Sequence, residues 1–258
     1  MQTLEGGRIG QVFREKDKVY RPKGFWSDAV HQLLLHLHEV GFTGAPYPIG
    51  FDDQGNEIVS YVKGDVYNYP LVGNIATEQA LTSAATLLRC FHDATLSFIN
   101  SSQTADLQWM LPSRNVNEVI CHGDFAPYNV ALIDKQTVAI FDFDTAHPAP
   151  RVWDVAYAIY CWSPFKTDPF DALGDINSQS QRAKMFCDAY QLDEPDRKRL
   201  VQVMIERIRT LVDYMQSEAK KNNTAFVENI NDGHHLAYLK DIRYLQDNEQ
   251  LITAVLCD

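Results

Sequence analysis

The stretch VICHGDFAPYNVALIDKQTVAIFDFDTA, Val119 to Ala146, decides how this chain is read. It sets His122, Asp124, Asn129, Asp142 and Asp144 at the ends of short apolar runs. Carboxylates at the ends of buried strands are costly to leave unpaired, so each needs a structural partner or a reaction that uses it. Phosphoryl transfer from a nucleotide to an alcohol calls for such a set. It needs a carboxylate to orient the attacking hydroxyl and take its proton, and a few hard oxygen donors for magnesium on the phosphates. Asp124 then serves as base, while Asn129 on the same loop and Asp142, at the end of TVAIF, face the metal.

Outward from this stretch the chain changes character. On its N-terminal side, QVFRE and KVYRP flank Lys16 and Asp17 as a hairpin, and Pro22 closes the second run because it cannot donate to a ladder. Ser27 is placed to cap a helix carrying Ala29, Val30, Leu33, Leu34, Leu37 and Val40 and ending at Gly41. Two more short strands flank the turn Asp52 to Gly55. After Tyr61 to Gly64 the pattern turns helical. Ala76 to Phe98 reads as one long amphipathic helix, Val201 to Met215 keeps one apolar face, and Leu236, Leu239, Ile242 and Leu245 begin another.

A length of 258 residues with 45% hydrophobic content allows a substantial core. The net charge of -11 argues against a nucleic-acid partner, whose phosphates are bound by Lys and Arg. No run approaches the roughly 20 apolar residues of a membrane span, and the start has no signal-peptide pattern, so the expectation is a cytoplasmic protein with no membrane partner. Cys90, Cys121, Cys161, Cys187 and Cys257 are odd in number and widely spaced, which reads as reduced core thiols.

HGDFAPYN is similar to the catalytic loop of the aminoglycoside phosphotransferase family, relatives of the protein kinases, and IFDFD resembles that family's metal-binding strand end. The resemblance implies an α+β, bilobal protein-kinase-like fold. Residues 1–62 would form a strand-rich nucleotide-binding lobe, and residues 63–258 a helical lobe with the catalytic loop and acceptor site. It implies ATP or GTP as donor, Mg2+ on Asn129 and Asp142, Asp124 as catalytic base and His122 as support for the loop. The acceptor would be a hydroxyl of a small molecule of the aminoglycoside kind. EGGRIGQV, with Gly6, Gly7 and Gly10, resembles a glycine-rich loop over the phosphates. IVSYVKG resembles the hinge, where backbone groups of Ser60 and Val62 would pair with the nucleotide base. In WDVAYAIY, Asp154 would brace the catalytic loop.

Two departures from the family pattern stand out. Arg21 occupies the place of the usual phosphate-contacting lysine, with Lys16 and Lys18 as alternatives, and His31 that of the glutamate that would pair with it. Arginine can hold phosphate through its planar fork, but histidine cannot supply an anionic brace. Asp144 has two readings, a metal contact or a hydrogen bond within its own loop. Asp193, Glu194, Asp196, Glu206, Asp213 and Glu218 would suit a cationic acceptor, and a solvated helix face explains them equally well. Two other classes stay open: a kinase-like binding protein without transfer, and a hydrolase using His122 and Asp124 on a metal.

Overall fold

Short runs of mostly half-buried residues, β-branched and aromatic among them, build an antiparallel sheet in the N-terminal part. In the computed structural model, which describes residues 2–4, 12–101, 104 and 106–258, this sheet has the order β1-β2-β3-β5-β4. Its strands are β1 (Gln2–Leu4), β2 (Val12–Glu15), β3 (Lys18–Pro22), β4 (Pro48–Phe51) and β5 (Asn56–Ser60). The expected hairpin is present, with Glu15 opposite Lys18 and Lys16 at φ 55° in the turn. Helix α1 (Ser27–Glu39) buries Ala29, Val30, Leu33, Leu34 and Leu37. Ser27 does not cap it. The helix starts at Ser27 itself, whose Oγ accepts from the Gly24 N–H at 3.0 Å.

The register of β3 on β5 bears most directly on the site between the lobes, because it sets Arg21 opposite Glu57. Beyond β5 the chain crosses through Gly64 at φ 142°, where a Cβ would lie 2.7 Å from the Leu132 carbonyl. Glycine permits this close approach. Asp65 and Leu132 then exchange both backbone hydrogen bonds, at 2.7 and 2.9 Å, which ties the crossing segment to β7.

The C-terminal part is helical around two short β-ribbons. Its helices are α2 (Glu78–Ala94), α3 (Leu96–Ile99), α4 (Arg151–Trp162), α5 (Ile176–Tyr190), α6 (Glu194–Lys220), α7 (Thr224–Asn231) and α8 (His234–Cys257). Thr77 caps α2, and Thr95 separates α2 from α3, so the single helix expected from Ala76 to Phe98 is two. Strand β6 (Val119–Cys121) pairs with β9 (His147–Ala149), and β7 (Val130–Ile133) pairs with β8 (Gln136–Ile140). Helix α4 is buried over almost its whole length, so Trp153, Tyr160 and Trp162 are core residues. The apolar face of α6 packs as expected, while Leu236 and Leu239 at the start of α8 are exposed and its buried stripe begins at Ile242. No cysteine is bonded to another; Cys121, Cys161 and Cys187 are buried, but Cys90 and Cys257 are exposed rather than core. No helix among the described residues is long and apolar enough to cross a membrane.

Candidate active site

The β7-β8 hairpin brings together the residues that the sequence singled out. Phe141 N–H donates to the Asn129 carbonyl at 3.0 Å, next to the pair Val130 and Ile140, so Asn129 and Asp142 emerge side by side at the open end of the ribbon. Asn129 donates through Nδ2 to the Asp124 carbonyl at 2.9 Å and to Asp124 Oδ2 at 3.0 Å. That leaves Asn129 Oδ1 without a partner among the described residues. Tyr128 OH donates to Asp124 Oδ1 at 2.9 Å, so both carboxylate oxygens accept bonds from described residues. Asp142 stands at φ 64°, a left-handed conformation in which short polar side chains are at home, and its side chain is 41% exposed.

Beneath the loop, Asp154 is fully buried and collects three donors: the N–H of His122 at 2.7 Å, the N–H of Gly123 at 2.9 Å and His92 Nε2 at 3.0 Å. Burial pushes its carboxyl up, but the bonds from His92 and from the Gly123 N–H outweigh it and bring it down to about 2. His92 donates as the neutral ring, since its Nδ1 accepts from Tyr190 OH at 2.6 Å and burial disfavours its cation. Gly123 sits at φ 82° with a Cβ position only 2.4 Å from the Thr145 carbonyl, so no other residue fits there.

His122 is buried and fully used. Its Nδ1 accepts the Asp124 N–H at 3.3 Å and its Nε2 donates to the Phe141 carbonyl at 3.0 Å, which joins the loop to the end of β8. With both ring nitrogens engaged it is not a metal ligand. The hydrolase reading loses its basis. His92, Cys121 and Asp154 are within reach of one another, but both His92 nitrogens are taken and burial holds the Cys121 thiol well above its usual range.

The N-terminal sheet reaches this mouth through Arg21. Its Nε is bonded to Glu57, its Nη1 lies 2.8 Å from Asp142 Oδ1, and its Nη2 lies 2.6 Å from Asp144 Oδ1. Burial works against this cation, but Asp144, Glu57 and Asp142 hold it firmly charged. Asp144 is therefore neither bonded within its own loop nor free. Burial pushes its carboxyl up to about 6, with Arg21 opposing and Asp142 adding like charge.

Glu57 was missed in the sequence, and it corrects the expectation about the brace. Its side chain is 1% exposed on β5, and His31 Nε2 from α1 lies 3.4 Å from its second oxygen, with the ring stacked on Phe51. Burial raises the Glu57 carboxyl, and His31, Arg21 and Ser27 together bring it below the usual range. So the anionic partner exists on a strand instead of the helix, and His31 supports it. A carboxylate inside NEIVS was the available signal.

The remaining expected residues divide. Ser60 spends its N–H on the Tyr47 carbonyl at 2.8 Å and its Oγ on the Tyr47 N–H at 2.8 Å, which removes that donor from a nucleotide base. Val62 lies at the start of the crossing segment. Gly6, Gly7 and Gly10 lie outside the described residues. The acidic residues expected to draw a cationic acceptor are mostly occupied locally: Asp193 caps α6, Glu194 pairs with Lys198, Asp196 with Arg199, Glu206 with Arg114 and Glu218 with Lys221. A solvated helix face describes them.

A strand-rich lobe, a helical lobe and a carboxylate-amide mouth beneath their junction define a kinase-like fold. The chain belongs to the phosphotransferase enzyme family, whose model matches residues 27–200. It is 31% identical over 213 residues, covering 78% of each chain, to the trifolitoxin immunity protein of Rhizobium leguminosarum bv. trifolii. Among solved structures it resembles a choline/ethanolamine kinase family protein from Mesorhizobium loti, at a TM-score of 0.61 and 14% identity, covering 100% of this chain and 92% of that one. It also resembles the GDP complex of aminoglycoside 2'-phosphotransferase-IIIa, at a TM-score of 0.62 and 14% identity, covering 96% and 92%. At these identities the likeness is one of fold.

Proposed function

We propose that the protein transfers the γ-phosphoryl group of ATP or GTP to a hydroxyl of a small molecule. The observation that carries this reading is the hairpin mouth, where the Asp124 carboxylate, Asn129 Oδ1 and the Asp142 carboxylate share one opening tied together by the Phe141–Asn129 bond. Asp124 orients the acceptor hydroxyl and takes its proton, and the bonds from Tyr128 and Asn129 set the direction in which it does so. His122 and Asp154 act on Asp124 only by holding the loop.

The donor set also fits a hard divalent cation. Asn129 Oδ1 has no partner among the described residues, Asp142 is open to solvent, and the two close carboxylates Asp142 and Asp144 are already neutralised by a cation, the Arg21 guanidinium. Asn129 and Asp142 would hold Mg2+, which when bound offsets charge on the phosphates. Arg21, kept in place by Glu57, turns its fork toward the phosphates and the aspartates. The phosphotransferase family to which the chain belongs favours a small-molecule acceptor. The relative at 31% identity is by its name an immunity protein, which makes a hydroxyl-bearing toxin a natural class of acceptor.

A second reading, nucleotide binding without transfer, draws on the grip of Arg21 on both aspartates. One titration separates them. The thermal midpoint is followed with ATP and with GTP, each with and without magnesium, and phosphate transfer is then measured on a hydroxyl panel. A ligand at about 100 times its Kd adds roughly 2.7 kcal/mol, a shift of several degrees. A magnesium-dependent rise followed by transfer supports the enzyme. A rise with no transfer to any acceptor supports the binder, and no rise with either nucleotide sinks both.

A further inference from the structure

Two cations of the helical lobe, Arg207 and Lys166, have no carboxylate within ion-pair distance among the described residues, whereas most acidic residues of that lobe are paired elsewhere. Arg207 on α6 is 6% exposed, and its Nη2 donates to the Gly123 carbonyl at 2.6 Å, one residue before Asp124. Its Nε is buried with no hydrogen-bond partner, and no carboxylate lies within ion-pair distance of it among the described residues. Its guanidinium rests instead on the Tyr157 ring, 4.3 Å from the centroid. A buried guanidinium left without an anion is costly, and aromatic faces return only part of that cost.

Lys166 is the second such cation. Its ammonium makes no hydrogen bond or ion pair among the described residues and sits over the rings of Tyr69 and Tyr160, at 4.8 and 4.7 Å. The neighbouring backbone holds it there: the next residue, Thr167, donates its N–H and Oγ1 to Asp241 on α8, both at 2.7 Å, and Tyr160 OH donates to the other Asp241 oxygen at 2.7 Å. Asp241 is thereby spent on the loop and does not neutralise Lys166. The rings link the two cations to the base. Tyr69 packs edge-on to Tyr128, 6.3 Å between centroids, and Tyr128 OH is on Asp124. The Cys161 thiol lies within the fields of both Lys166 and Asp124.

The geometry points to an acceptor that carries an anionic group, a carboxylate or a phosphate, beside the hydroxyl presented to Asp124, with Lys166 receiving the anion over the Tyr69 ring and the buried Arg207 adding positive charge behind the loop. This rests on the phosphotransferase reading for the role of Asp124, but the charge preference stands apart from it. A polyamine acceptor would meet two like charges beside the base.

The experiment is a calorimetric and thermal-shift titration of the full chain with hydroxyl compounds matched except in charge, run with and without nucleotide. The probes are 4-hydroxybutyrate against 4-amino-1-butanol, and glucose 6-phosphate against 6-amino-6-deoxyglucose. The anionic member of each pair is expected to bind at least about tenfold more tightly, the scale of one charge-assisted bond. K166E is expected to erase that preference, and R207K to weaken it without reversing it. Tighter binding of the amines, no binding of either anion, or a K166E variant that keeps the preference overturns the proposal. Absence of any nucleotide shift sinks the phosphotransferase reading alone, because the nucleotide-free titration still decides the charge of the ligand.

Discussion

Glu57 holds the Nε of Arg21 from strand β5, leaving both Nη nitrogens of the same guanidinium for Asp142 and Asp144 on the other lobe. One side chain therefore reads three carboxylates, and its position is set by the β3-β5 register that places Arg21 opposite Glu57. Removing one of the three carboxylates leaves the guanidinium with two, so the cost is that of one charge-assisted bond, about 1.5 kcal/mol. Glu57→Gln is expected to lower the unfolding free energy by that order and to weaken nucleotide binding, measured by denaturant unfolding and calorimetry. His31→Gln, which removes only the support, should cost clearly less. Equal losses would place the brace on His31 after all.

Asp124→Asn keeps the size of the side chain but not its basicity. Turnover is expected to fall by at least about 10²-fold, the usual cost of losing a general base, while the nucleotide-dependent thermal shift persists. Normal turnover in this variant would remove Asp124 from the role.

Asp154 is predicted to matter for stability in acid more than for chemistry. Its folded value of about 2 lies below the ordinary 3.8, so its contribution is complete above pH 3.8 and is lost as pH falls through 2. That contribution is on the order of 2 kcal/mol. Asp154→Asn should abolish the part of the acid-unfolding slope in this window and, by leaving the His122 and Gly123 N–H groups with a weaker acceptor, loosen the loop. An unchanged slope between pH 4 and pH 2 would count against the three-donor arrangement.

His147 works in a higher window. Buried on β9 with its Nδ1 donating to the Thr145 carbonyl at 2.8 Å, it is brought by burial from 6.5 down to about 4. The unfolded chain takes up that proton first, so stability should fall as pH drops from 6.5 to 4 and stay level in this respect above it. His92, also lowered by burial, adds to the same trend. In His147→Gln the slope of unfolding free energy against pH across this window should flatten.

The placement of Asp124, Asn129 and Asp142 was legible because it is local: the three sit within one loop and one hairpin, and the apolar runs between them dictate strands. The β2-β3 hairpin and the apolar face of α6 were legible for the same reason, since period and turn residues act over a few positions. What escaped depends on pairing between distant segments. Glu57 reaches Arg21 only through the order of strands in the sheet, and Arg207 reaches Gly123 across α6. Each nonetheless left a trace, a charged residue inside an otherwise apolar strand or stripe. The exposed Leu236 and Leu239 show the converse, an apolar spacing that continues past the point where a neighbour covers it.

Arg21 also bears on the metal, and its removal separates two roles by sign. The guanidinium neutralises Asp142 and Asp144, so a divalent ion entering that mouth competes with it. With nucleotide bound, the same group is expected to hold phosphate and to favour the loaded state. Arg21→Ala should therefore tighten binding of Mn2+ to the nucleotide-free protein, read by paramagnetic titration, and weaken binding of ATP or GTP in calorimetry. Arg21→Lys, which keeps the charge and loses the fork, should move both in the same directions by less. Weaker Mn2+ binding in Arg21→Ala would mean that the arginine organises the aspartates for the ion instead of standing in its place.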